Sequence, residues 1–129
     1  MKKRILAIAA ASVTLAGAAS ADPVLGMWKT QADDGAYAHI DMQPCGAKIC
    51  GKIARTFDAS GEIQSPNIGK TLVIDMEPKG DGTYAGKVWR PSNDKIYIGK
   101  MALDGASLAL RGCVAGGLIC SKQTWSRVK

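Results

Sequence analysis

Turn-forming residues interrupt the chain at intervals of roughly 8–12 residues, and this spacing is what most limits the folds it can adopt. Examples are Asp33-Asp34-Gly35, Gly80-Asp81-Gly82 and Gly116-Gly117. The runs between the turns are short and rich in β-branched, aromatic and alternating apolar residues, which is typical of a β-sandwich or β-barrel. We predict strands over residues 25–30, 37–43, 49–56, 72–77, 83–89, 95–103, 107–113 and 118–128.

The first residues have the composition of a secretory signal peptide. Three cations at positions 2–4 precede an apolar run over residues 5–18. Ala19-Ser20-Ala21 then provides the small side chains that signal peptidase requires. The apolar run is shorter than the roughly 20 residues that span a bilayer. We therefore expect residues 1–21 to be cleaved, and residues 22–129 to form a single domain in the periplasm or in secreted form.

Part of the formal charge of +6 belongs to that leader. Without its three cations, the 17 basic residues of the chain become 14, against 11 acidic residues. The remaining charges are scattered singly along the sequence, which is typical of a solvated surface and not of a nucleic-acid-binding one. We expect a monomer that binds no nucleic acid and has no stable membrane insertion.

The four cysteines follow the predicted cleavage site. An even number of cysteines in a small exported domain indicates disulfides, because the compartment beyond the cytoplasm is oxidising. The spacings C-x₄-C and C-x₆-C do not match zinc motifs, and His39 is the only histidine. We expect disulfides, no metal and no cofactor. The cysteines are Cys45, Cys50, Cys113 and Cys120.

Strand alternation provides a test of which hairpins form. If Asp104-Gly105 is a two-residue turn, Leu103 pairs with Ala106, and Leu108 lies on the apolar face of the sheet. If Cys113 instead pairs with Cys120 across the next two strands, this separate assumption also places Leu108 on the apolar face. The agreement favours two successive hairpins with the bridge on the outer side.

The cysteine pairing remains a choice between entropy and geometry. Cys45 opposite Cys50 places Met42 against Ile53 and leaves the bridge on the outer face. A cross-pairing such as Cys45–Cys113 would close about 69 residues and contribute roughly 4 to 4.5 kcal/mol, against roughly 2 to 2.5 kcal/mol for each short ring. Energy alone favours the long link. We choose Cys45–Cys50 and Cys113–Cys120, because matching faces are a necessary condition for the bond.

These elements predict an all-β fold, an eight-stranded antiparallel up-and-down barrel pinned by disulfides. Such a barrel is filled by side chains or holds one small ligand. Residues 57–70 show no strand pattern, and so long a connection is typically functional, here a candidate lid over the barrel mouth. The predicted inner face comprises Ile40, Met42, Ile53, Leu72, Ile74, Met101, Leu108 and Leu110.

The two ends of the predicted domain carry the motifs that point to a family. Gly26-Met27-Trp28 is a G-x-W motif in the first strand, and Trp125-Ser126-Arg127 is a W-x-R motif in the last. The pair resembles the calycin superfamily, the lipocalins and their relatives, in which an early Trp packs beneath the barrel end against an Arg of the final strand. The resemblance implies a structural role at the barrel end for Gly26, Trp28, Trp125 and Arg127.

A second resemblance covers nearly the whole predicted domain. The segment Cys45-Gly46-Ala47-Lys48-Ile49-Cys50-Gly51, the turn and strand over 91–97, and Gln123-Thr124-Trp125-Ser126-Arg127 resemble a family of small exported bacterial proteins known only as a domain of unknown function. Cys113 and Cys120 depart from that family's usual pattern. The resemblance implies a calycin-like barrel in the periplasm and brings no established activity with it.

Groups suited to catalysis are few and scattered. A hydrolase needs a nucleophile, a base and an orienting group, or paired carboxylates. On the strand alternation His39 points outward, Asp33-Asp34 lies in a turn, and Asp75 and Glu77 share the outward face of a strand with Val73. We expect these to be surface residues and the protein to have no enzymatic activity.

Two functions remain. The first is a barrel that binds a small apolar ligand. The second is an envelope protein-interaction module, an assembly factor or a hydrolase inhibitor, whose disulfides preorganise the hairpin loops for docking. A cavity of ligand size favours the first and a filled interior the second. The candidate ligand-binding residues are Met42, Ile53, Tyr97, Met101, Leu108 and Leu110.

Overall fold

The computed structural model describes residues 21–128, so the predicted signal peptide lies outside the described residues apart from Ala21. Within this range no helix is long and apolar enough to span a membrane. A short 3-10 turn occupies Ala115–Gly117. The strands are β1 (Gly26–Lys29), β2 (Tyr37–Cys45), β3 (Lys48–Asp58), β4 (Gly61–Ile63), β5 (Thr71–Pro78), β6 (Thr83–Arg90), β7 (Lys95–Asp104), β8 (Ser107–Val114) and β9 (Ile119–Val128).

The strands form a closed antiparallel barrel. Neighbouring strands follow the order β2-β1-β9-β8-β7-β6-β5-β3, and β2 also pairs with β3, which closes a ring of eight. The short β1 makes the closure, because it pairs with β2 on one side and with β9 on the other. The predicted all-β, eight-stranded antiparallel barrel is confirmed.

The ninth strand was not predicted. β4 forms a hairpin with β3 inside the 57–70 segment that the sequence left without a strand pattern. Asp58 sets up the hairpin turn, because its Oδ1 accepts hydrogen bonds from the backbone N–H and the hydroxyl of Ser60, at 2.8 and 2.6 Å. A three-residue strand is too short to show alternation, so the sequence could not reveal it.

Two hairpin registers were wrong by two residues. Asp104 pairs with Ser107 and Leu103 with Leu108, so the turn is Gly105-Ala106. Gly105 has a φ of 61°, the conformation that two-residue hairpins with glycine in the first central position use. A shift of two residues preserves the faces of both strands, so the predicted inner positions of β8 were unaffected.

The hairpin of β2 and β3 differs in the same way. Its turn is Gly46-Ala47, with Cys45 opposite Lys48 and Gln43 opposite Cys50. Met42 therefore does not face Ile53 as predicted. Gly46 has a φ of 66°, which again places glycine first in the turn. The Cys45–Cys50 bridge is diagonal across the ladder.

Both predicted disulfides are present, Cys45–Cys50 and Cys113–Cys120, and the described chain has no free cysteine. Their Cα atoms are 5.6 and 4.1 Å apart. Cys113 is 1% exposed but does not pack with the apolar side chains inside the barrel. This agrees with a position on the outer face, beneath the hairpin tip.

One predicted inner residue of β5 is wrong. Val73 and Met76 are fully buried, whereas Ile74 is only partly buried. The β5–β6 pairing shifts between Ile74 and Glu77, and Asp75 there adopts a left-handed φ of 49°. Such a bulge inserts an extra residue and reverses the alternation. The expectation that Val73 faces outward is also wrong, because the β3–β5 pairing shifts between Gly51–Val73 and Lys52–Thr71, and Leu72 and Val73 are both buried.

The core is concentrated at one end of the barrel, which we call the closed end. The segment before β1 crosses this end, and its Val24 is fully buried. Asp22 fixes the segment by accepting hydrogen bonds from the hydroxyl of Tyr84, at 2.5 Å, and from the backbone N–H of Val24, at 2.8 Å. Buried side chains packed there include Trp28, Met42, Ile49, Met76, Met101 and Leu108.

Candidate functional site

A cavity of about 590 Å³ opens at the other end of the barrel, which we call the mouth. In an up-and-down barrel alternate connections lie at the same end. The connections after β1, β3, β6 and β8 therefore surround the mouth. The volume lies within the roughly 300–1,000 Å³ that is typical of small-molecule sites.

The floor of the cavity is apolar. Its side chains come from strands on all sides of the barrel, because each inward position faces the same central space. Every one is at most 7% exposed. Together they separate the cavity from the packed closed end. The floor residues are Ile53, Leu72, Val88, Leu110 and Trp125.

An ion pair fixes the rim of the mouth. Arg90 donates from Nε to Oδ2 and from Nη2 to Oδ1 of Asp33, both at 2.8 Å, and the hydroxyl of Ser92 donates to Oδ2 at 3.1 Å. The hydrogen bonds from Arg90 hold the pKa of Asp33 below its usual range, against the opposing effect of burial. Asp33 in turn raises the pKa of Arg90. Both groups stay ionised, and their fork joins the β1–β2 and β6–β7 connections.

Other polar groups of the cavity wall also have partners. Gln31 Oε1 accepts the backbone N–H of Thr124 at 3.0 Å. The indole N–H of Trp125 donates to Gln123 Oε1 at 2.9 Å. Above the floor, the wall thus carries a few fixed polar side chains, the arrangement that orients a mostly apolar ligand.

Two aromatic residues of β6 and β7 complete the wall. The indole N–H of Trp89 donates to Asp94 Oδ1 at 2.8 Å, and Lys70 Nζ lies 5.5 Å from the centre of the ring. The Tyr97 hydroxyl accepts a hydrogen bond from Asn93 Nδ2 at 2.7 Å. Both ring systems are oriented by the 91–94 turn, and both line the cavity.

The long connection after β3 also contributes to the mouth. Ile63, Ser65 and Asn67 line the cavity. The connection is attached to the barrel at its far end, where Ile53 donates its N–H to Lys70 O at 2.9 Å and accepts the N–H of Gly69 at 2.7 Å. The segment 57–70, the candidate lid, thus forms part of the cavity wall and contains the β3–β4 hairpin.

The six predicted ligand-binding residues divide into two groups. Ile53, Tyr97 and Leu110 line the cavity. Met42, Met101 and Leu108 are at most 2% exposed and belong to the core of the closed end. Strand alternation identifies an inward side chain but does not tell at which depth of the barrel it lies, and this accounts for the division.

The motif residues Gly26, Trp28 and Arg127 meet at the closed end. The Arg127 guanidinium stacks on the buried Trp28 ring, and a Cβ on Gly26 would lie 3.0 Å from its Nη1 atom. Trp125 lies elsewhere. It is 1% exposed and forms part of the cavity floor.

Among residues 21–128, neither the histidine nor any cysteine lines the cavity. His39 is on the outer face of β2, with its ring 4.7 Å from that of Phe57. Among the described residues, one group of potential metal ligands is close together, Cys45, Cys50 and Asp75. Its two sulfurs are joined in the disulfide and offer no thiolate.

Several cavity residues were missed from the sequence: Asp33, Arg90, Ser92, Leu72 and Trp125 line the site but were not proposed as ligand contacts. The sequence could have indicated which turns form the rim, because alternate turns of an up-and-down barrel lie at the same end. The ion pair that joins two of those turns spans 57 residues of sequence, and no local pattern predicts it.

The barrel is similar to a solved lipocalin. That structure is described as "Protein HP1028 from the human pathogen Helicobacter pylori belongs to the lipocalin family". The two share 17% sequence identity with a TM-score of 0.65, over 82% of this chain and 83% of the other. At this identity the similarity establishes a lipocalin-like fold. A search of curated proteins gave no significant match.

Residues 26–127 match the model of a family described as "Uncharacterized protein conserved in bacteria (DUF2147)". The protein belongs to this family. The match runs from the G-x-W motif to the arginine of the last strand, so it covers the whole barrel and confirms the resemblance that the motifs indicated.

Proposed function

We propose that this protein is a non-enzymatic binding barrel that holds a small, mostly apolar ligand in the mouth cavity. The cavity carries the proposal, since about 590 Å³ of space remains above an apolar floor. A protein-interaction module needs no such space. The presence of a cavity of ligand size therefore supports ligand binding over a role as a protein-interaction module.

The side chains that line the cavity indicate what kind of ligand it can hold. The floor of Ile53, Leu72 and Val88 favours an aliphatic or aromatic body through burial of apolar surface. Asp33 and Arg90 neutralise each other at the rim, so this pair offers no unpaired charge to a ligand. A neutral or weakly polar head facing the solvent fits these groups.

We place this activity in the periplasm. Two disulfides in a bacterial protein are typical of export to an oxidising compartment. The N-terminal residues support the same location through their cationic start and apolar run. Sequencing the N-terminus of the protein in a periplasmic extract tests the location and the cleavage site together.

Native mass spectrometry of protein purified from its own host tests for a bound ligand. Binding of the uncharged dye N-phenyl-1-naphthylamine tests the cavity, since its fluorescence rises in an apolar site and it has no charge to attract it to the basic surface residues. We expect Gly112→Leu to weaken dye binding by reducing the volume of the cavity. Gly112 lines the cavity, and the atoms nearest to a Cβ there, on Tyr97 and Val88, are 3.5 Å or more away, so the larger side chain has room to extend into the cavity.

Ala109→Leu is the matched control. Ala109 is on the same strand, and on the strand alternation it faces outward, so a similar side chain is added outside the cavity. Unchanged dye binding in Gly112→Leu, together with no bound mass in the native protein and no thermal shift across a metabolite panel, would contradict the proposal.

A further inference from the structure

The fold gathers basic side chains that are scattered in the sequence. Strands β6 to β9 contain seven basic residues but a single carboxylate, Asp104 at the end of β7. Strands β1 to β5 contain four basic and five acidic residues. Strands β6 to β9 therefore carry an excess of positive charge, although Arg90 is paired with Asp33 and Arg127 is held at the closed end. The basic residues of these strands are Lys87, Arg90, Lys95, Lys100, Arg111, Lys122 and Arg127.

Three of these cations stand directly beside one another. Lys100 pairs with Arg111 across β7 and β8, and Arg111 pairs with Lys122 across β8 and β9. Like charges in such positions are destabilising. Among the described residues, none of the three forms an ion pair with a carboxylate. An anionic partner outside the chain would relieve this repulsion.

Exposed aliphatic side chains lie next to the cationic row. The tip of the β8–β9 hairpin carries Val114, Leu118 and Ile119, whose exposed fractions are 47, 86 and 64%. On the outer face of β7, Ile96 and Ile98 are 61 and 40% exposed. Large exposed aliphatic groups clustered in this way mark an interaction surface.

The two features meet at the base of the tip. Ile98 is paired with Cys113, whose disulfide to Cys120 pins the base of the tip. Lys100 Nζ reaches under the tip, 3.3 Å from where a Cβ on Gly117 would lie. The cations thus lie at the base of the aliphatic tip, on the side toward the closed end of the barrel.

We propose that the tip and the cationic row bind the surface of an anionic lipid bilayer. The tip inserts its aliphatic groups at the level of the headgroups, and the row of cations contacts the lipid phosphates. A projecting tip with three apolar side chains is small beside the roughly 800 Å² per partner of a standard protein interface. The association is reversible and superficial, and it does not depend on a ligand in the cavity.

Co-sedimentation with lipid vesicles tests the proposal. Protein exported by its own host is mixed with vesicles of phosphatidylcholine alone or with phosphatidylglycerol added. We expect binding only to the anionic vesicles, and loss of binding as the salt concentration rises to about 0.5 M, because screening weakens surface attraction. All variants carry the same N-terminus, read by mass spectrometry, so that it contributes equally.

Two pairs of variants separate the contributions. Lys100→Gln with Lys122→Gln should weaken binding by about 25-fold, since each cation near the surface contributes about fivefold. Leu118→Ser with Ile119→Ser should weaken it by about tenfold or more through loss of apolar burial. The matched controls, Lys48→Gln with Lys52→Gln on β3 and Ile68→Ser, replace similar exposed groups elsewhere and should leave binding unchanged.

Leu118→Trp gives a readout that does not depend on affinity. Its emission, taken as the difference from the wild type with Trp28, Trp89 and Trp125, should shift to the blue and be quenched by brominated lipid chains when anionic vesicles are added. No vesicle binding, equal binding to neutral vesicles, or equal losses in the controls would overturn the proposal. So would self-association in light scattering that Leu118→Ser with Ile119→Ser abolishes, since the tip would then join two copies of the chain.

Discussion

The guanidinium of Arg127 lies 4.2 Å from the centre of the Trp28 ring, so the last strand of the barrel is fastened to the first. The same group donates from Nη1 to Leu25 O and from Nη2 to Pro23 O, each at 2.6 Å. The Trp28 indole N–H donates to Val24 O at 2.8 Å. Arg127 therefore contacts the face of the Trp28 ring and two carbonyl oxygens of the segment that covers the closed end, and so holds that segment in place.

Replacing this arginine should destabilise the whole barrel. We expect Arg127→Ala to lower the free energy of unfolding by about 3 kcal/mol, through loss of two charge-assisted hydrogen bonds and a cation–π contact. Arg127→Lys keeps the charge but not the fork, so it should lose about half as much. Urea denaturation measures both.

The control for that series is Arg55→Ala, which removes another arginine from an exposed ion pair with Glu62. Because exposed pairs contribute little, its effect should stay within about 0.5 kcal/mol. If Arg127→Ala were as mild as Arg55→Ala, the barrel end would not depend on the Arg127–Trp28 contact.

Fold class was predictable because strand alternation and glycine-rich turns are local signals. The sequence also identified both disulfides, since either register error of two residues preserves the faces. The bulge at Asp75 was not predictable. It depends on the left-handed backbone of Asp75. From sequence, that conformation is expected mainly at glycine. That bulge and a second register shift, in the β3–β5 pairing beside Leu72, lie on either side of the two residues whose expected faces were inverted, Val73 and Ile74.

Gly51 lies in a crowded part of the barrel wall. A Cβ at this position would be 2.8 Å from both Ile40 Cγ2 and Met42 Sδ, and 3.1 Å from Val73 Cβ. These neighbours are fully buried. We expect Gly51→Ala to lower the free energy of unfolding by about 1–3 kcal/mol, because overpacking displaces side chains from their preferred rotamers.

Gly112→Ala provides the comparison for Gly51→Ala. Its Cβ would make only ordinary contacts, the nearest at 3.5 Å from Tyr97 Cβ, and would face the cavity. The free energy of unfolding should change by less than about 1 kcal/mol. Equal destabilisation by the two substitutions, measured in urea, would show that loss of glycine and not crowding is responsible.

The candidate site was predicted less completely than the fold. Periodicity identified Ile53, Tyr97 and Leu110 as inward residues, and the structure places them at the cavity. The rim depends on the ion pair of Asp33 and Arg90, which are distant in sequence and meet only when the barrel closes. The cationic surface was missed for a related reason, since charges spaced singly along the chain become neighbours only across strands.

The two disulfides should stabilise the protein by similar amounts. They close rings of about six and eight residues, for which loop entropy gives roughly 2 to 2.5 kcal/mol each. We expect Cys45→Ala with Cys50→Ala, and Cys113→Ala with Cys120→Ala, to lower the free energy of unfolding by that amount and to leave the barrel folded. Urea denaturation under non-reducing conditions measures the loss. A much larger loss for either pair would mean that the bridge holds the barrel closed and does more than brace a hairpin.

His39 should make stability depend on pH. Partial burial above all, and then the charges of Arg55 and Lys29, hold the pKa of His39 below its usual value of 6.5, while Glu62 opposes them. The folded state therefore releases a proton that the unfolded state still binds. The resulting stabilisation is fully present above about pH 6.5 and is lost as the pH falls through the lowered pKa.

Two charge variants should move this titration in opposite directions. Arg55→Gln removes a neighbouring cation and should raise the pKa of His39, whereas Glu62→Gln removes the opposing carboxylate and should lower it. Proton NMR of the imidazole ring measures both, and the signal is unambiguous because the chain has a single histidine. Urea denaturation at pH 5 and pH 7 should show a smaller stability difference for His39→Gln than for the wild type. A pKa at or above 6.5 in the wild type would contradict the partial burial of the ring against Phe57.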